Sequence, residues 1–300
     1  MPGNIRVLYT QQYASAIELV AQQMRPRVAS TFTQMTAVGK AATVVDFVDV
    51  GEARERDQLY DDIVWDDPIH NRPWVYPRHF DKSIPFDSIE QMQMNANPQS
   101  EYVQGVVAAL NRKEDVEAIR ALFADRQTGE AGEVTDSFAT ATNTVGIDVG
   151  GVGSPLNVEK LQQAKKLIKR QEVGIDDAEQ LNIVISPDEE QAMMNEIEVI
   201  SSDFTTKRIM DAGTMVGSGY MGLNWIISNI LQLDANGYRR IPIYSTRGMV
   251  FCTWNGGIKT DVSQRKDKRG LPWQVYGEGH YGATRRDNKR VFEIKAAPIA

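Results

Sequence analysis

The sequence predicts an α+β fold, because helical hydrophobic spacing and short β-branched runs are interspersed along 300 residues with no internal repeat. The composition agrees, since 42% hydrophobic and 24% charged residues suffice for one or two globular domains with a sizeable core. A first helix is expected at 12–24, on Tyr13, Ile17, Val20 and Met24, ending before Pro26. A second starts from Pro98, with Ser100 as its cap and Tyr102, Val103, Val106, Val107 and Leu110 along one face. A further helical series follows through Val116, Ile119, Leu122 and Phe123, and another helix covers 157–169 on Val158, Leu161, Ala164, Leu167 and Ile168. Pro187-Asp188-Glu189-Glu190 is a helix start, with proline and acids in the first turn. Strands are expected at 42–50, at 181–186, and around 222–228, 241–245, 247–254, 272–276 and 290–294. Residues 126–155, rich in Gly, Thr and Ser, read as a loop with one or two short strands.

Charge is more informative in its distribution than in its sum of −7. Residues 239–300 hold 13 Lys and Arg against 5 Asp and Glu, a net of +8, which leaves −15 for residues 1–238. Such a split suits either a nucleic-acid-binding region or contact between the acidic part of one subunit and the basic part of another. The basic residues are interleaved with apolar positions and glycines, and an acidic chain is a poor nonspecific DNA binder, so subunit contact is preferred. The N-terminus has no basic-then-apolar pattern and no run of about 18 apolar residues occurs, so a cytosolic protein without a signal peptide or membrane span is expected.

Residues 51–97 carry Trp65, Trp74, Tyr76, Phe80 and Phe86 among Pro68, Pro73, Pro77 and Pro85, with many acids between them. Prolines remove ladder donors and blunt strand edges, while aromatics left in water make a sticky patch. The expectation is an extended hairpin whose aromatics are covered by something outside their own neighbourhood. A long loop folded onto its own core is the plainer alternative.

The chemical motifs fail their specific tests. Gly150-Gly151-Val152-Gly153-Ser154 lacks the Gly-Lys-Ser/Thr of a phosphate loop, and Leu156 stands where the dinucleotide fingerprint needs its third glycine. Gly217-Ser218-Gly219 lacks the outer spacing of a nucleophile elbow. His70 and His79 lie near Asp61, Asp62, Asp66 and Asp67, but their spacing matches no zinc pattern. Cys252, in the apolar run Met249-Val250-Phe251-Cys252, reads as a buried thiol. Neither catalytic residues nor a cofactor nor a metal is expected.

From residue 181 onward the order of elements is informative. Leu181-Asn182-Ile183-Val184-Ile185-Ser186-Pro187-Asp188, a helix, Ser202-Asp203-Phe204, and Met221-Gly222-Leu223-Asn224-Trp225-Ile226-Ile227-Ser228 together resemble the axial-domain sequence of tailed-bacteriophage major capsid proteins. Gly277-Glu278-Gly279-His280-Tyr281-Gly282-Ala283-Thr284-Arg285-Arg286 and Val291-Phe292-Glu293-Ile294 are similar to that family's final glycine-alanine-arginine turn and strand. The aromatic segment and the helix from Pro98 fit its extended loop and spine helix.

The resemblance implies the Hong Kong 97 capsid fold. Residues 1–50 would form the N-terminal arm and lead-in strand, 51–97 the extended loop, 98–150 the peripheral domain with the spine helix, 151–264 the axial domain, and 265–300 the strands returning to the peripheral domain. It implies a subunit that assembles with itself into hexamers and pentamers of an icosahedral head around double-stranded DNA. The implied partners are a scaffolding protein, a portal and a decoration protein, with assembly in the host bacterial cytoplasm. Intersubunit contact is expected of Trp65, Trp74, Tyr76, Phe80, Phe86, Arg285 and Arg286. Some members crosslink a loop lysine to an asparagine; Lys82 is the only lysine in 51–97, and no partner for it is assigned. Three alternatives stay open. One is an encapsulin-like compartment shell. The second is a nucleic-acid-binding protein using Arg239, Arg240, Arg265, Lys266, Lys268, Arg269, Arg285 and Arg286. The third is a hydrolase using the region of His70 and His79.

Overall fold

The computed structural model describes residues 22–44, 47–49, 69–86, 99–175, 179–196 and 213–298, with Gly51, Ala53, Trp65 and Asp67 besides. The helix expected at 12–24 lies outside them except for its last three residues, which are not helical. The first strands are β1 (Thr33–Ala37), β2 (Ala42–Thr43), β3 (Phe47–Asp49), β4 (Ile69–Asn71), β5 (Trp74–Val75) and β6 (Arg78–Phe86). Helix α1 (Gln99–Phe123) leads to β7 (Arg126–Thr128), β8 (Val134–Asp136), a short α2 (Thr140–Asn143) and β9 (Thr144–Val145). Then come α3 (Val158–Arg170), β10 (Leu181–Ile185), α4 (Pro187–Asn195) and β11 (Leu223–Ile227). The chain closes with β12 (Arg239–Ser245), β13 (Met249–Gln264), β14 (Trp273–Arg285) and β15 (Val291–Ala296).

The described residues divide into two compact units, and α1, β6, β13 and β14 each contribute to both. The larger unit holds a mixed sheet in the order β11-β10-β12-β15-β9. β10 runs parallel to β11 and antiparallel to β12, and β15 pairs antiparallel with β12 and parallel with β9. Every residue of β10 is buried, as in a strand covered on both faces, and its one polar residue, Asn182, is satisfied by side-chain hydrogen bonds with Thr246 and Asn224. Its core joins Ile183, Ile185, Trp225, Ile241, Ile243, Phe292 and Ile294 to Val158, Leu161, Ala164 and Ile168 of α3. Each such side chain contributes about 1.5–3 kcal/mol by leaving water.

Local chemistry sets the ends of these helices. The Asn157 side chain accepts from the Lys160 amide at 2.8 Å and starts α3 one residue after the asparagine. Pro187 opens α4, and Glu189 reaches back to the Ser186 amide at 2.8 Å. Where two separate helical series were expected around 98–123, the structure has a single helix of 25 residues, α1. Asn111-Arg112-Lys113 contains no proline or glycine to break it. Ser100 lies inside this helix, so it is not the cap.

The same larger unit contains a second, smaller core of Ala37, Ala42, Val44, Val75, Val250, Cys252 and Trp254, contributed by β1, β2, β5, β13 and their flanks. Cys252 is buried there, and desolvation pushes its thiol up to about 12, which leaves it unreactive. The other unit packs Phe86, Val106, Leu110 and Val275, with Phe80, Ile84 and Tyr102 against them. Gly277 of β14 touches α1 so closely that a Cβ there would sit 2.4 Å from Val106 Cγ1, so only glycine fits. β13 and β14 are longer than expected, at 16 and 13 residues: the outer half of β13 is largely exposed and carries little apolar signal, while beyond residue 276 β14 has Gly277, Gly279 and Gly282 where apolar side chains would have marked a strand.

Candidate assembly surface

The aromatic segment enters the structure as a set of short pairings. β3 pairs antiparallel with β4, and β2 with β5, which in turn pairs with β7 at Trp74 opposite Gln127. Trp74 is half-buried, and its indole Nε1 donates to the Gly129 carbonyl at 2.8 Å. The side chains of Trp74 and Tyr76 both meet the backbone at Gly132, which has φ +77° and no room for a Cβ. One face of Tyr76 remains open, at 44% exposure, and Trp65 is 85% exposed.

Three of the residues expected at intersubunit contacts already have an internal role. Phe86 is only 5% exposed, inside the smaller unit's core, with its ring edge on Tyr102 at 5.9 Å. Phe80 packs against the same core and is half-buried. Arg285 is 1% exposed and closes the C-terminal end of α1. Its Nη1 donates to the carbonyls of Leu122 at 3.1 Å, Ala121 at 3.4 Å and Ala124, and its Nε to Asn288 Oδ1 at 2.8 Å. Helix carbonyls in the last turn lack intrahelical donors and carry the negative end of the dipole, so a buried guanidinium suits them. Burial, with the like charge of Arg126 behind it, brings Arg285 down to about 10, which leaves it a cation at neutral pH. Phe86 and Arg285 are thus packed inside the chain before any partner is present. Both side chains are covered by their own chain.

Arg126 completes the arginine turn. It donates to Asp136 Oδ2 at 2.6 and 2.8 Å and to the Arg286 carbonyl at 2.8 Å. Arg286 itself is half-buried, and its guanidinium is pushed down by burial and by Arg247. The basic set considered for nucleic acid is split in the same way. Arg239 pairs with Asp188 and Glu189 at 3.0 Å, Arg240 pairs with Glu293 while lying 4.1 Å over the Phe123 ring, and Arg265 pairs with Asp267 at 2.8 Å. Lys266, Lys268 and Arg269 are exposed. His79 is exposed on β6, His70 lies on β4, and among the described residues no three His, Cys, Asp or Glu come together as a metal site would need.

Sequence reasoning missed the carboxylates along α1. Asp115, fully buried, accepts from the amides of Arg27, Val28 and Ala29 at 2.8, 3.0 and 2.9 Å, and so fastens the chain entering β1 to the helix. Glu117 is also buried, and it takes Arg78 at 2.6 Å and Arg120 at 2.9 Å. Both would have been visible as acids in register with the apolar face of the helix.

Comparison with solved structures places this architecture. The capsid of cyanophage Pam1 matches with a TM-score of 0.70 at 9% identity, covering 99% of each chain. The capsid of cyanophage P-SCSP1u matches with 0.68 at 12% identity, over 97% of this chain and 94% of that one. The capsid of Ralstonia phage GP4 matches with 0.66 at 12% identity, over 100% and 99%. No curated protein sequence matches. At these identities the likeness is one of fold, the Hong Kong 97-type capsid fold. The model of the family described as phage capsid protein matches residues 5–297, so this chain belongs to the phage capsid proteins and is a structural subunit of the head, the major capsid protein of an icosahedral shell.

Proposed function

We propose that this subunit assembles as hexamers and pentamers that enclose double-stranded DNA, with 51–97 as its extended loop and α1 as its spine helix. In this reading 1–50 is the arm, 98–150 is peripheral, 151–264 is the axial domain, which supplies β10, β11 and β12, and 265–300 returns to the peripheral domain. Scaffolding protein, portal and decoration protein are its partners, and assembly takes place in the host cytoplasm. The observation that supports it is the pair of open aromatics, Trp65 and Tyr76, in a segment interrupted by prolines. Aromatic anchors of this kind carry a disproportionate share of interface energy. Trp74 and Phe80, each half-covered by the chain itself, and Arg286 would border the contact. Phe86 and Arg285 would support it from behind.

The test is assembly of the purified protein, read by light scattering and negative-stain microscopy, beside Trp65→Ala and Tyr76→Ala. The unmodified protein should give closed shells. Each variant should keep the denaturation midpoint of the unassembled subunit and lose about tenfold or more in shell yield. Normal shells in normal yield from both variants would remove these two residues from the contact.

A further inference from the structure

The helix α3 carries a charge pattern at odds with its surroundings. Within the acidic residues 1–238, its 13 residues hold five Lys and Arg against the single acid Glu159. Val158, Leu161, Ala164 and Ile168 are buried in the core; Gln162, Lys166, Lys169 and Arg170 are exposed, and the half-buried Lys165 borders the core face beside them. These five residues and Met221 line one cleft of about 540 Å³. That volume falls in the ~300–1,000 Å³ range of sites that take a bulky group. Met221 has φ +53° and is half-buried against the sheet core, so the cleft has an apolar side as well as a cationic one. Among the described residues none of the four cations has a carboxylate partner. Burial and Lys169 push the Lys165 ammonium down, a strain that a bound anion would relieve.

The same chain supplies a matching segment. Asp61-Asp62-Ile63-Val64-Trp65-Asp66-Asp67 is an apolar trio flanked by two acid pairs, and 57–67 holds five Asp with no Lys or Arg. Trp65 and Asp67 are both exposed, so Trp65 does not fill the cleft of its own chain. We propose that this cleft on α3 receives Trp65 of a neighbouring copy, the indole against Met221 and the flanking aspartates on Lys165, Lys166, Lys169 and Arg170. The inference rests on the reading of 51–97 as an intersubunit segment and assigns its receptor. An apolar anchor ringed by opposite charges gives both affinity and register, which repeated head-to-tail contacts around a capsomer need. DNA phosphate is the competing occupant of a basic cleft. It would use the cations, but it offers nothing to Met221 and does not call for an exposed tryptophan.

The test uses two full-length populations, Trp65→Cys and Met221→Cys, mixed before assembly and treated with a short bis-maleimide. Cys252 is buried and unreactive, so any dimer joins the two engineered thiols across a subunit boundary. The expected result is a covalent dimer in mixed shells and none in shells of either population alone. In parallel, K165E/K166E/K169E should cut shell yield by about tenfold, and combining it with D61K/D62K/D66K/D67K should restore most of it. Intact mixed shells without the dimer overturn the assignment of the cleft while leaving the shell function standing. Lysine reversal that leaves shell yield unchanged also overturns it, as does reversal that lowers only the retained DNA, which would identify phosphate as the occupant. If the unmodified protein forms no shell, it is the underlying function that fails.

Discussion

The five-stranded sheet and the helix α1 are both buried, yet they are held in opposite ways. In the sheet, the covered positions of β10, β12 and β15 are mostly apolar, and their side chains answer one another across the core. In α1 the covered positions include Asp115 and Glu117, and its C-terminal carbonyls rest on the buried Arg285. The sheet relies mainly on volume and pattern, with its buried Glu293 paired to Arg240. The helix acts as a fastening rail, where specific charges hold the incoming chain at Arg27–Ala29, the strand residue Arg78 and the end of β14. Apolar burial is insensitive to pH and tolerant of repacking, whereas a buried charge stripped of its partner is costly. Mutations and pH should therefore act differently on the two regions.

The largest effect belongs to the sheet. Trp225 is buried, and its Nε1 donates to the Tyr220 carbonyl at 3.2 Å. Trp225→Ala leaves a large cavity and should cost about 3–5 kcal/mol, a loss seen equally at acid and neutral pH in chemical denaturation of the unassembled subunit. A loss under about 1 kcal/mol would mean that the sheet is not the stabilising core. The next effect belongs to the helix. Asp115→Ala removes the acceptor of three amides and should cost about 2–4 kcal/mol. It should also speed hydrogen exchange at Val28 and Ala29 while leaving that of β10 in proportion to the global change. Unchanged exchange at those two amides would break the picture of α1 as a fastening.

This contrast also explains what could be read in the sequence. The strands β10, β11, β12 and β15 and the helices α3 and α4 were legible because a self-contained core imposes a period, and Asn157 and Pro187 mark where the helices start. Continuity of α1 was not, because its buried side mixes Asp115 and Glu117 with Val106, Ala118 and Leu122, which blurs the apolar stripe. The outer half of β13 was missed since exposed strand residues leave no apolar alternation to find, and the continuation of β14 past residue 276 was missed because Gly277, Gly279 and Gly282 fill inward positions without an apolar side chain. In the candidate surface, Trp65 and Tyr76 were found as aromatics among prolines, and both are exposed. Phe86 and Arg285 look the same in sequence but are covered by Tyr102 and by helix carbonyls, partners that lie far along the chain. The basic face of α3 went unnoticed because its charge was averaged into an acidic region of 238 residues.

The smallest effect sharpens the comparison most, since it needs no cavity and only one atom changed. Burial, with the Asp115 carboxylate beside it, raises Glu114 from 4.5 to about 7. The folded chain thus binds more protons at this site than the unfolded chain between those two values. The group's contribution is fully present below the unfolded value, and it is lost as pH rises through the folded one. Glu114→Gln keeps the shape and removes the titration. Above about pH 7 the variant should unfold at a higher denaturant concentration than its parent, and the gap should close as pH falls toward about 4.5. The Trp225→Ala variant should keep the parent's pH slope, because the sheet core it damages is apolar. Parallel midpoint curves for Glu114→Gln and its parent across this range would show that the helix face is hydrated, and that its burial of charge does not set the pH response of the subunit.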